Sequence, residues 1–201
     1  MDKLGLTKEV NNSDLQPLIA KRWSPRTFSD KEIEPEKITL MFEAARWAPS
    51  CYNEQPWTFI AGSKKSCPEV WDQVLSCLVE FNQSWAKPAP LLIITVAHLK
   101  FAKNGNDNVI AKYDLGQSAM SLVLQAQSMG LFTHQMGGFD SEKARTLFNL
   151  PENYVAVSII AVGYLGTLDQ LGEDLRKLEE SPRQRKEQTE FVFTKWGTPF
   201  K

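Results

Sequence analysis

Arg22, Ser24 and Arg26 stand two apart, with Trp23 and Pro25 between them. Proline disfavours helix at the residue before it, so Ser24 is expected in extended chain, where alternate side chains share a face. Two guanidinium forks and a hydroxyl then line one edge over at most about 13 Å, four steps of roughly 3.3 Å. That is about the distance from the phosphate to the polar ring edge of a mononucleotide-sized ligand. Such a face suits an anion together with a carbonyl-rich ring. A solvated basic loop has the same composition.

Three further segments carry groups of related chemistry. APSCYNEQPW, residues 48–57, packs proline, serine, asparagine and glutamine into a short stretch, so it reads as a loop rich in amide donors and acceptors, or as a plain connecting turn around Trp57. THQMGGFD, residues 133–140, holds Gly137 and Gly138, which let backbone N–H groups approach a ligand or simply make a tight turn. PRQRK, residues 182–186, gathers Arg183, Arg185 and Lys186 after a proline, as a solvated surface also would.

The elements that must position these groups follow from pattern. LQPLIAKR is expected to be a short helix ending before Pro25, and IEPEKITLMFEAARWAPS a helix with Ile38, Met41, Phe42 and Ala45 on one stripe. QPWTFIAG reads as a strand, SCPEVWDQVLSCLVEFNQ as one helix, and APLLIITVAH as a buried strand. The clearest helix spans about 108–129, with Leu115, Ala119, Leu122, Ala126 and Met129 on one stripe and Gly130 as its stop. Asp140 can cap SEKARTLFNL, the strand YVAVSIIAVGYLG follows, and an amphipathic stretch carries Leu171, Leu175 and Leu178. The last 20 residues are polar with interspersed Phe191, Phe193 and Trp196, a composition that suits wrapping across a partner.

Composition bounds the function classes. The 201 residues make one domain of ordinary size, and 23 Lys and Arg against 24 Asp and Glu leave a net charge of -1. That balance offers no basic footprint for nucleic acid and no polybasic membrane patch. Cys51, Cys67 and Cys77, with only His98 and His134 beside them, form neither a disulfide framework nor a multi-histidine metal site. The opening MDKLGLTKEV has no apolar stretch of signal-peptide type, and the longest apolar runs fall short of the roughly 20 residues that span a bilayer. A cytoplasmic protein with reduced thiols is expected. Neither GxGxxG nor a phosphate-cradling GxxxxGK[ST] loop occurs.

Taken together and in order, the four segments resemble the FMN-dependent nitroreductase family over nearly the whole length. KRWSPRTF is similar to its basic-x-Ser-x-basic opening and APSCYNEQPW to its Pro-Ser…Asn-x-Gln-Pro-Trp segment. The helix around YDLGQSAMSLVLQAQSMGL, the HQMGGFD turn and the VAVSIIAVGYLG strand follow in the family's sequence. Glu187 stands where many relatives carry proline, and Cys51, Tyr52 and Gly137 fall at variable positions.

The resemblance implies an α+β fold with an antiparallel-rich central sheet flanked by helices, built as an intertwined homodimer. One domain would cover 1–201, with about 182–201 wrapping the partner subunit. It implies FMN at the subunit interface, with Arg22, Arg183 and Arg185 toward the phosphate, and Trp23, Ser24 and Arg26 on the pyrimidine and ribityl side. Pro49, Ser50, Cys51, Asn53 and Gln55 of the other subunit would line the ring, and Gln135, Met136, Gly137 and Gly138 would bring backbone N–H groups near the reactive N5. No side-chain catalyst and no metal are implied, because the hydride chemistry belongs to the flavin. NADH or NADPH would reduce it, and a nitroaromatic, quinone or related small acceptor would reoxidise it on the same open face in a ping-pong scheme.

Three rivals stand beside this reading. A family member could use FMN for dehalogenation, oxidation or flavin breakdown. A thiol enzyme would use Cys51 with His98 or His134, though no signature surrounds Cys51. A non-enzymatic interaction module has the aromatic tail as its only motive.

Overall fold

The computed structural model describes residues 4–6, 8, 10 and 14–200. Half of the opening segment MDKLGLTKEV, and the last residue of the tail, lie outside the described residues.

Three of the first helices begin where proline permits. α1 (Pro17–Lys21), α2 (Pro35–Arg46) and α3 (Pro68–Cys77) each carry proline at the first helical position, where its missing N–H would have found no partner anyway. Between α2 and α3 runs β1 (Trp57–Ser63). Its Gly62 is required by close approach, since a Cβ there would lie 2.4 Å from the backbone nitrogen of Trp71 on α3.

The stretch expected as one helix over 66–83 is broken in two, α3 and α4 (Glu80–Ala86). The break has a tertiary cause. Leu78 bridges antiparallel to Phe139, Val79 N–H donates to Gly138 O at 3.1 Å, and Asp140 N–H donates to Cys77 O at 2.8 Å. These bonds take backbone groups that a continuous helix would have used.

β2 (Leu91–His98) is buried along all but its last residue. α5 (Ala111–Ser128) turns its Leu115, Ala119, Leu122 and Ala126 stripe inward and stops at Gly130, which adopts φ +76°. β3 (Phe132–Met136) was not anticipated from its residues, which read as the approach to a glycine turn. α6 (Ser141–Leu147) is capped by Asp140, whose carboxylate accepts from Lys143 N–H at 2.9 Å. β4 (Tyr154–Gly163) completes a four-stranded sheet of order β1-β2-β4-β3, antiparallel throughout.

Helices cover both faces of this sheet, which is why its central strands are apolar runs rather than alternating ones. Leu92, Ile94 and Val96 pack with Trp71, Val74 and Trp85 of α3 and α4, whereas Leu91 and Ile93 meet Met41, Ala45, Leu122 and Ala126 of α2 and α5. The architecture is α+β. After the sheet, Leu171 is buried just before α7 (Glu173–Glu180), which half-buries Leu175 but leaves Leu178 exposed and buries Glu179 instead. The tail ends in a short hairpin of β5 (Phe193–Lys195) and β6 (Thr198–Pro199), with Phe191, Trp196 and Phe200 exposed.

Candidate active site

The non-helical segment that follows α1 alternates in burial. Trp23, Pro25 and Thr27 are buried, while Arg22, Ser24 and Arg26 are half-open. Those three, with Trp23, line a cavity of about 320 Å³ that Arg183, Arg185 and Glu179 close from the far end of the chain. Its lining holds five cations, Lys8, Arg22, Arg26, Arg183 and Arg185, against the single carboxylate of Glu179. Arg22 Nη1 donates to Ser24 Oγ at 3.2 Å. Burial first, then the charges of Arg183 and Arg185, hold the Arg22 guanidinium below its usual pKa; burial and Arg185 do the same to Arg183. Mutual repulsion of this kind marks a site short of negative charge, and forked donors around it match a phosphate dianion.

The two late arginines play different parts. Arg183 Nη1 donates to Lys8 O at 2.8 Å and Ala20 O at 2.7 Å, so it also braces the start of the chain. Arg185 is exposed, and its Nη1 donates to the neighbouring Gln184 O at 2.6 Å. Lys8, nearly buried, sits 5.3 Å from the Trp23 ring centroid and donates to Ser181 O. Trp23 itself packs edge-on against Phe132, 6.1 Å between centroids.

The loop from Pro49 to Gln55 is held open by unusual backbone. Tyr52, Asn53 and Gln55 all adopt positive φ, 53°, 56° and 51°, a costly conformation for non-glycine residues and one typical of functional loops. Buried Asp114 of α5 accepts from Cys51 N–H at 3.0 Å, and Ser50 Oγ accepts from Gln55 N–H at 3.0 Å. Tyr52 is 90% exposed, edge-on to Phe101.

At the end of β3, Gln135 is exposed and Met136 buried. Nothing lies within 4 Å of where a Gly137 Cβ would sit, and Gly137 O accepts from Phe139 N–H at 3.1 Å. Gly138 O accepts from Val79 N–H and from Asn82 Nδ2 at 3.0 Å. The same strand carries His134, whose Nδ1 meets the Pro25 carbonyl at 2.9 Å and whose ring lies 4.4 Å from that of Trp85.

One protomer thus brings together Arg22, Trp23, Ser24, Arg26, Arg183 and Arg185 around the cavity. Pro49, Ser50, Cys51, Asn53, Gln55, Gln135, Met136, Gly137 and Gly138 do not line it. Reasoning from residues missed Lys8, Glu179 and Asp114, and considered His134 only as a partner for Cys51. Among the described residues, no cluster of three or more His, Cys, Asp or Glu is placed to hold a metal, and no helix is long and apolar enough to cross a membrane.

The molecule is a helix-covered antiparallel sheet with an arginine-lined cavity beside it, and comparison with known proteins identifies its lineage. The family model described as Nitroreductase family matches residues 19–164. The chain belongs to that family and is an oxidoreductase of nitroreductase type. A solved structure of an oxidoreductase containing FMN superposes with a TM-score of 0.84 at 29% identity, covering 93% of this chain and 94% of the other. A Methanothermobacter thermautotrophicus protein, named as a candidate NADH dehydrogenase or NAD(P)H nitroreductase, is 29% identical over 182 residues, covering 86% of this chain and 90% of that protein. Iodotyrosine deiodinase 1 of Sus scrofa is 26% identical over 178 residues, covering 76% of this chain and 62% of that protein.

Proposed function

We propose that this protein is a cytoplasmic homodimer that binds FMN in the arginine cavity and passes reducing equivalents from NADH or NADPH to a small acceptor such as a quinone or nitroaromatic. The single observation that carries the reading is the cavity itself, where residues 22–26 and 183–185 converge with five cations around one carboxylate. Arg22 and the two late arginines would hold the phosphate, and Ser24 and Arg26 would face the pyrimidine and ribityl side. FMN, when bound, supplies the hydride-transfer chemistry. The chain's part is to bind and orient: a guanidinium at the pyrimidine edge favours the anionic reduced ring, and the backbone N–H of Gly137 would offer a donor toward N5.

Loop 49–55, absent from the cavity of its own protomer, would cover the ring from a second copy, and the stretch 182–201 would wrap that copy. Exposed Trp47, Tyr52, Tyr113 and Trp196 support such a boundary, since aromatic residues are enriched at interfaces. The free thiols of Cys51, Cys67 and Cys77 agree with a reducing compartment.

The test is an absorption spectrum of the purified protein before and after anaerobic NADH. Flavin bands that bleach on addition support the reading; a colourless protein that takes up no FMN on titration ends it. The relation to iodotyrosine deiodinase 1 favours one second reading, reductive dehalogenation of a halogenated aromatic. Halide release from an iodophenol in the presence of NADPH, with no turnover of quinones, would select it.

A further inference from the structure

Glu179 is the one carboxylate in a cavity wall otherwise charged by cations, and it is 1% exposed. It stands in the last turn of α7, where the helix dipole disfavours an acid, at a position next to a leucine left outside. Burying a carboxylate is costly unless partners compensate, and an apolar side chain of similar volume would usually pack there at least as well. The compensation comes from 153 residues away: Arg26 N–H donates to both Glu179 oxygens at 3.1 Å. Arg26 Nη1 lies 3.7 Å from Oε2. Main chain and guanidinium of one residue are therefore clamped by one acid.

We propose that Glu179 is the positioning residue of this cavity: by clamping Arg26 it sets the segment from which Arg22 reaches the phosphate of the flavin mononucleotide. The proposal rests on the flavin reading above. Arg22, Ser24 and Arg26 stand on one wall of the cavity, so fixing Arg26 anchors the end of the short segment that carries Ser24 and Arg22, two and four residues earlier. Arg22 and Ser24 are joined in turn by their own hydrogen bond. Glu179 and Arg183 lie beyond residues 19–164, so the part of the cavity that does the clamping falls outside the stretch matched by the family model.

The experiment compares FMN with riboflavin, which lacks the phosphate, by fluorescence titration of full-length apoprotein. Wild type should prefer FMN strongly. Glu179→Ala and the near-isosteric Glu179→Met should lower that preference by about tenfold or more, the loss of a charged hydrogen-bond clamp. Glu179→Gln keeps an oxygen that accepts from Arg26 N–H, so it should hold the preference within about threefold. A purely structural role would weaken both flavins alike and leave the ratio unmoved, and that result in both Glu179→Ala and Glu179→Met overturns the proposal. Tighter FMN binding by Glu179→Gln also overturns it, because the acid would then be a competitor for the arginines. If wild type binds flavin without preferring FMN, the phosphate site itself fails and the clamp with it.

Discussion

His134 Nδ1 lies 2.9 Å from the carbonyl oxygen of Pro25, so that β3 and the arginine-bearing segment are joined by a half-buried imidazole. A carbonyl can only accept, hence Nδ1 carries the hydrogen. Its other contacts enforce neutrality. Burial against Trp85 is the largest cause, opposed by the Pro25 hydrogen bond and assisted by the charges of Arg26 and Arg22, and the pKa falls to about 4.

Acid should therefore loosen this junction before it protonates the surface carboxylates. Between the ordinary histidine pKa of 6.5 and about 4, the unfolded chain binds a proton that the folded chain refuses. Stability is then fully present above pH 6.5 and lost as pH falls toward 4, by about 3 kcal/mol for this one group. Urea unfolding at a series of pH values should show that slope in wild type and a flatter one in His134→Gln. Glu34 and Glu43 are held to about 2, chiefly by hydrogen bonds from Tyr164 and Arg46 respectively, and give up their share only below their ordinary value of 4.5.

Arg22→Ala should lose cofactor without losing the fold. Its side chain donates to Ser24, and its removal relieves repulsion with Arg183 and Arg185. FMN affinity should drop by about tenfold or more, the worth of a charged hydrogen bond to phosphate, with riboflavin affinity little changed. Equal losses for both flavins would place Arg22 away from the phosphate.

How much of this was legible depends on the range over which each feature is determined. The α5 stripe of Leu115, Ala119, Leu122 and Ala126 is a local periodic signal, and so is the apolar run of β2, because helices on both faces leave no polar alternation to confuse it. The facing of Arg22, Ser24 and Arg26 is local too, imposed by Pro25. The break between α3 and α4 is not, since it depends on hydrogen bonds from Val79 and to Cys77 that cross to residues 138–140. β3 is a strand because β4 pairs with it, Thr133 opposite Val162 and Gln135 opposite Ile160, and its own five residues carry no alternation. Glu179 could not be read at all. An acid beside Leu178 looks solvated until Arg26 is brought to it.

Arg183 and Arg185 should separate by stability. Arg183 ties Lys8 O and Ala20 O together, so Arg183→Ala should cost about 1–3 kcal/mol of folding free energy as well as FMN affinity. Arg185 is exposed, and Arg185→Ala should leave thermal unfolding within about 0.5 kcal/mol of wild type while still weakening FMN. Parallel melting curves and flavin titrations on the two variants check this.

Cys51→Ser should keep most NADH-dependent turnover with a quinone acceptor. Cys51 is held through its backbone N–H by Asp114, and that bond survives the substitution. Abolished turnover with FMN still bound would instead make the thiol a participant. Asp114→Ala is the harsher change: it orphans the Cys51 N–H beside three positive-φ residues, and should raise the acceptor KM by loosening the loop.

The tail should be worth more to the dimer than to the monomer fold. Trp196 is 97% exposed and Phe191 and Phe200 stand open beside it, on a hairpin whose strands pair only with each other. Large aromatic side chains so placed gain nothing for their own chain, whereas at the centre of an interface each can contribute about 2 kcal/mol or more. Sedimentation equilibrium should give about twice the 22.8 kDa chain mass for wild type. Trp196→Ala with Phe200→Ala should weaken that dimer by about tenfold or more and lower FMN affinity in step, because loop 49–55 of a second copy would no longer be held over the ring. Undiminished dimer in the double variant would assign the interface to the exposed Trp47 and Tyr113 of α2's end and α5, and leave the tail free of that role.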